Sequence, residues 1–94
     1  MSYVRHYLMI AQDGAETALA EALKALQEKV LPLDGCEDVL LLRDLDKQGQ
    51  FVFIERWVTA DAHKAGGAVL GKAALAPVMA VLAQPPQAMS LTVA

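Results

Sequence analysis

Residues 3–11 are rich in Val, Ile, Leu and Tyr, which predicts a strand with Tyr3, Arg5, Tyr7 and Met9 on one face and Val4, His6, Leu8 and Ile10 on the other. The period changes after Asp13-Gly14. Ala15, Ala18, Leu19, Ala22, Leu23, Leu26 and Val30 recur at helical spacing, opposite a wet side of Glu16, Glu21, Lys24 and Glu28. Asp13 is the expected N-cap, with Glu16 at the capping-box position, and Pro32 followed by Asp34-Gly35 ends the helix. Val39 to Asp44 reads as a second strand, and its unbroken Val-Leu-Leu-Leu run predicts burial on both faces. Asp46-Lys47-Gln48-Gly49 makes a hairpin connection with Gly49 in a left-handed position. Phe51 to Val58 alternates clearly: Phe51, Phe53, Glu55 and Trp57 point one way, and Val52, Ile54, Arg56 and Val58 the other.

Thr59 then caps a short helix through His63, which Gly66 and Gly67 are expected to break. A further helix is predicted over roughly Val69 to Ala83, kinked or restarted at Pro77 and stopped by Pro85-Pro86. Met89 to Val93 closes the chain as a strand. The order is β-α-β-β-α-β, a ferredoxin-like split βαβ sandwich of class α+β, with helices on one face of a four-stranded antiparallel sheet. Residues 1–94 are read as a single domain without repeats or linkers. Because the first two strands look apolar on both faces, the uncovered sheet face is expected to be buried in a homodimer.

Composition sharpens this expectation. Apolar residues make up 55% of the chain, with 17 Ala and 14 Leu, while Phe, Trp and Tyr total five. Disorder is excluded by that hydrophobicity. In so short a chain the apolar surplus has two outlets, an internal ligand pocket or an oligomer interface. The net charge is −3 and no cluster of Lys or Arg occurs, so neither nucleic acid nor an anionic membrane is an expected partner. The longest uncharged apolar run, Ala73 to Ala83, is too short to span a bilayer, and the N-terminal residues lack the order of a signal peptide. A lone cysteine, Cys36, fits a reducing cytoplasm. Two histidines and one cysteine match no metal-ligand spacing, so no metal is expected.

Motifs for phosphate loops and serine nucleophiles are missing, and Cys36 has no histidine beside it in sequence. The chemistry rests on a few amphipathic residues. Trp57 is either a core side chain or a pocket wall, and Tyr7 either a buried, satisfied phenol or a donor to a phenolic or quinoid oxygen. His63 is either a solvated helix residue or a general base, since imidazole alone titrates near neutrality without help. Glu55, a carboxylate in an apolar strand, needs a partner, and Arg43 on the adjacent strand is the expected one in a structural ion pair. A catalytic carboxylate is the other reading of Glu55. His6 points to the opposite face and belongs to the dimer interface or to a satisfied core position.

Over nearly its full length the chain resembles the antibiotic biosynthesis monooxygenase family. The resemblance lies in the opening strand before Asp13-Gly14, the Ala/Leu-rich helix to Val30, the turn Leu33-Asp34-Gly35-Cys36, and Leu42-Arg43-Asp44. Phe51-Val52-Phe53-Ile54-Glu55-Arg56-Trp57, similar to the family's Glu-x-Trp strand, carries most of it. The resemblance implies a dimeric α+β barrel and a pocket between sheet and helices. It also implies oxygenation of small aromatic substrates without metal or flavin. The family often places a histidine nine residues after that tryptophan, where this chain has Gly66; the nearest histidine is His63. Haem degradation is disfavoured, because the corresponding stretches offer Tyr7, Gly66 and no histidine after His63. The expected activity is thus a cofactor-independent monooxygenase for a small aromatic, phenolic or quinol-like ligand, with Tyr7 and Trp57 binding and His63 taking the proton. The alternatives are a non-catalytic ligand-binding or stress-associated dimer of the same fold, and an isomerase or lyase on the same barrel.

Overall fold

The alternation of the third strand decides the architecture. Phe51, Phe53, Glu55 and Trp57 all turn inward and are buried, and a helix must cover them. In the computed structural model, which describes residues 2–94, strand β1 (Tyr3–Ile10) is followed by helix α1 (Glu16–Val30), strands β2 (Cys36–Arg43) and β3 (Gln50–Trp57), and helix α2 (Ala60–Leu70). A short 3-10 turn (Lys72–Ala74), helix α3 (Ala76–Met79) and strand β4 (Gln87–Thr92) complete the chain. The sheet is antiparallel with order β2-β3-β1-β4, the ferredoxin-like arrangement expected from the element order. Among the described residues no helix is long and apolar enough to cross a membrane.

Helix α1 lays Leu19, Leu23, Leu26 and Val30 onto Phe51, Phe53 and Val39, forming the core. Its start differs from expectation. The cap position is Ala15, without a side-chain hydrogen bond, and Asp13 lies in the preceding turn, where the Ala15 amide donates to the Gln12 carbonyl. Ala18, assigned to the apolar stripe, is exposed. Gly49 does take the left-handed conformation of the hairpin, at φ 81°.

Strand β2 begins earlier than predicted, at Cys36, and its register shifts between Cys36 and Asp38. Its expected two-sided burial is not met within one protomer. Val39 is buried against α1, but Leu40 and Leu42 on the outer face are each 47% exposed because nothing in the chain covers that side. Val4, Leu8, Val52 and Ile54 share this outer face through the strand registers, and Met89 and Leu91 extend it across β4.

The largest departure concerns the second half. Gly66 and Gly67 do not break α2, which continues to Leu70; Gly71, at φ 78°, ends it. A side-chain carbon on Gly66 would lie 2.6 Å from Cη2 and 2.8 Å from Cζ3 of Trp57. Gly66 is therefore a contact residue whose missing side chain lets the helix rest on the indole. The single helix expected from Val69 to Ala83 is divided between the 3-10 turn and α3, with Pro77 in the first turn of α3.

Gly66→Ala should destabilise the protein. Overpacking against Trp57 costs about 1–3 kcal/mol, which outweighs the roughly 1 kcal/mol that alanine adds in helix propensity. Gly67→Ala meets nothing within 4 Å and should stabilise by about 0.5–1 kcal/mol. Urea unfolding of both variants checks the opposite signs.

Candidate active site

The register between β1 and β3 sets Tyr7 opposite Phe53, Arg5 opposite Glu55 and Tyr3 opposite Trp57, all on the helix side of the sheet. At the mouth of this region α2 begins. The Thr59 hydroxyl accepts a 3.0 Å bond from the Ala62 amide, the predicted cap, and the following turn brings His63 over the sheet. Tyr7, Trp57 and His63 thereby line one cavity of about 100 Å³, together with Glu55. Val30, Leu33, Leu70 and Leu75 supply its apolar wall.

The polar groups are linked in sequence. Trp57 Nε1 donates to Glu55 Oε1 at 2.9 Å, so the only indole in the chain is buried with its N–H satisfied. His63 meets the indole edge-on, with ring centroids 5.6 Å apart and planes at 71°, and Tyr3 lies at the same centroid distance on the imidazole's other contact. Tyr7 Oη and His63 Nε2 are 3.4 Å apart. Arg5 Nε donates to Tyr7 Oη at 3.2 Å, which leaves the phenolic hydrogen free to point at the imidazole.

These contacts define the electrostatics. Burial lowers the affinity of His63 for a proton, and the positive charge of Arg5 lowers it further. Glu55 Oε1 is 3.9 Å from Nε2, close enough for an ion pair only with a protonated ring. Burial and Arg5 both act against that proton, and the ring is best described as a neutral imidazole near neutrality. Burial raises the Glu55 carboxyl above the usual carboxylate range, opposed by the Trp57 N–H and by Arg5. Tyr7 is raised as well, first by burial, with the Arg5 hydrogen bond working in the opposite direction.

The expected Arg43–Glu55 ion pair is not formed. The β2–β3 register puts Val39 opposite Glu55 and Arg43 opposite Phe51, four strand positions away, where the guanidinium lies 5.4 Å from the Phe51 ring centroid. Glu55 instead belongs to the cavity. Arg5 and Gly66 were missed as site residues: Arg5 shares the Tyr3/Tyr7 face in sequence, but its bond to Ser90 emerges only when β4 pairs with β1. A larger groove of about 390 Å³ runs between α1 and β2, past Lys24, Arg43 and Phe51. It holds neither histidine. No three His, Cys, Asp or Glu side chains among the described residues cluster as metal ligands.

The fold is a split-βαβ sandwich of the α+β class with a small, mostly apolar cavity and one imidazole between strand and helix. The chain belongs to the antibiotic biosynthesis monooxygenase family, whose family model matches residues 1–65. Similar solved structures include a Nitrosomonas europaea protein assigned by name to the same family, with TM-score 0.87 and 19% identity over 96% of each chain. Rv0793 from Mycobacterium tuberculosis has TM-score 0.85 and 21% identity, covering all of this chain and 96% of that one. SnoaB, a cofactor-independent oxygenase from Streptomyces nogalater, has TM-score 0.82 and 17% identity over 98% and 92% of the two chains. No curated protein matches.

The raised Glu55 carboxyl has a consequence for stability. A group whose folded affinity for protons exceeds its unfolded one stabilises fully below the unfolded value, 4.5, and loses that contribution as pH rises through the folded value. Glu55→Gln keeps an acceptor for Trp57 Nε1 and removes the charge. Its Tm relative to the unmodified protein should therefore rise from pH 4 to pH 8, measured by thermal unfolding at both ends. A constant difference would place the buried charge elsewhere.

Proposed function

We propose that this chain is a monooxygenase acting without metal or flavin on a small aromatic, phenolic or quinol-like substrate. One observation carries the reading: a neutral imidazole, His63, faces the hydroxyl of Tyr7 inside an apolar cavity walled by Trp57. A general base there must be unprotonated at working pH, and the burial and positive neighbour of His63 favour that state. Tyr7 and Trp57 hold the ring, His63 takes the phenolic proton, and Glu55 stands near enough to stabilise the imidazolium that results. An electron-rich phenolate then reduces dioxygen itself. For a quinol the balance is quinol plus dioxygen giving hydroxyquinone plus water: one oxygen atom enters the ring, the other leaves as water, and the quinol supplies all four electrons. Family membership supports this reading, as does the likeness in fold to SnoaB, itself a cofactor-independent oxygenase.

Oxygen-electrode assays with hydroquinone and an anthrone, in air and without added metal or flavin, test it. Uptake is expected, and His63→Ala should lower turnover by about 10²–10⁴-fold. The acid limb of kcat/KM should fall below the ordinary imidazole value of 6.5, since the folded site disfavours protonation. No uptake across the panel overturns the oxygenase reading and favours a non-catalytic ligand-binding protein.

The same protomer is proposed to pair through its outer sheet face as a homodimer. Leu40, Leu42 and Met89 are about half exposed there, and Nδ1 of His6, in the middle of the face, is buried without any hydrogen-bond partner. Sedimentation should give a mass near twice 10.1 kDa. Leu40→Glu should shift it to the protomer mass with the far-UV spectrum preserved.

A further inference from the structure

Arg5 stands on the inner face of β1 beside the cavity, with one face of its guanidinium bound to neutral groups. Nε donates to Tyr7 Oη at 3.2 Å, Nη1 donates to Ser90 Oγ, and the guanidinium carbon is 5.1 Å from the Tyr7 ring centroid. Ser90 is itself tied to Tyr3 Oη at 2.9 Å. These bonds hold the side chain in one orientation. No carboxylate pairs with it among the described residues, although Glu55 is its cross-strand neighbour; Glu37 pairs with Arg56, and Glu55 lies 3.9 Å from the neutral His63 ring. Among the described residues the geometric hydrogen bonds of the guanidinium run through Nε and Nη1, with Tyr3 beside it, and none is made by Nη2. A fixed guanidinium with unused donors matches the two oxygens of a carboxylate.

Position gives this donor set its meaning. Tyr7 Oη is 3.2 Å from Arg5 Nε and 3.4 Å from His63 Nε2, so a single phenolic oxygen stands between the cation and the base. All six residues of β4 are exposed, so the Arg5–Ser90 strip is open to solvent on the side away from α1. A ligand entering along this strip meets Arg5 first and the Tyr7–His63 pair next.

We infer that Arg5 is the anion-binding, specificity-determining residue of this site, and that the substrate is a small aromatic hydroxy acid whose carboxylate docks on Arg5 while its phenol reaches His63. This rests on the oxygenase reading for the fate of the phenol, whereas the anion site itself rests only on the Arg5 geometry. The cavity, about 100 Å³, has room for no more than a single ring, which leaves the carboxylate on the strip outside.

A matched pair of probes tests the inference: hydroquinone and 2,5-dihydroxybenzoate, the same quinol with a carboxylate added. Calorimetry on the full chain should show the acid binding about tenfold or more tightly at low salt, with the preference shrinking as NaCl is raised. Arg5→Gln should abolish the preference while hydroquinone binding is retained, and Arg5→Lys should keep part of it. Ser90→Ala, which frees the guanidinium without removing charge, should weaken the preference and covers the case in which Arg5→Gln fails to fold. Arg43→Gln, which removes the same charge at the far end of the sheet, should change neither ligand. Equal affinity for the two probes, or an equal loss of preference in Arg43→Gln, overturns the inference. Arg5-dependent binding of the acid without oxygen uptake upholds the anion site and refutes the oxygenase reading; uptake with hydroquinone and no acid preference does the reverse.

Discussion

The arrangement depends on burying one indole at the end of a strand. Trp57 is 1% exposed, so its N–H needs an acceptor and its six-membered ring needs room. Glu55, two residues back on the same face, supplies the acceptor, and Gly66 supplies the room. The carboxylate costs free energy where it stands, because burial disfavours its charge and a single indole N–H and a distant guanidinium offset only part of that. The reward is geometric. Gly66 lets helix α2 rest on the ring, and His63, one turn earlier on the same helix, meets the same indole edge-on.

The charge pattern follows from that contact. With the imidazole held against Trp57 and Tyr3, its open nitrogen faces Tyr7, and Tyr7 is oriented from behind by Arg5. Burial first, and then a permanent cation one oxygen away, disfavour a proton on the imidazole, and burial keeps the phenol protonated. The cavity therefore presents an uncharged imidazole and an uncharged phenol side by side. Substituting a carboxylate for Arg5 would favour the imidazolium.

What was legible in the sequence follows what is local. The alternation in Phe51 to Trp57, the Thr59 cap and the order of elements lead directly to the sheet, because each depends on neighbours a few residues away. Gly66 and Gly67 pointed to a helix break because glycine's backbone cost is local, whereas the contact between residues 57 and 66 that makes Gly66 fit is tertiary. The Arg43–Glu55 pairing failed for a related reason. Adjacent strands were correct, but the hairpin register, which joins Arg43 to Phe51, is set by how the turn closes and not by which charges are available. Arg5 was visible on the Tyr7 face, yet its role depended on Ser90, 85 residues along the chain.

The division of the sheet into wet and dry areas argues that the polar strip is more than ordinary surface. On the helix side, β2 and β3 present Val39, Leu41, Phe51 and Phe53 to α1, while β1 and β4 present Tyr3, Arg5, Ser90 and Thr92, and the helices cover the first group. An edge strand with only solvent to face could carry any polar residues. Here Tyr3, Arg5 and Ser90 satisfy one another and end on Tyr7, so their bonds continue into the cavity. The outer face shows the opposite choice in its middle rows, Leu40, Leu42, Val52, Ile54, Leu8 and Met89, with a buried histidine nitrogen lacking a partner. The apolar surplus of the composition thus lies where a second surface would cover it, and the few polar side chains are concentrated along one approach to His63.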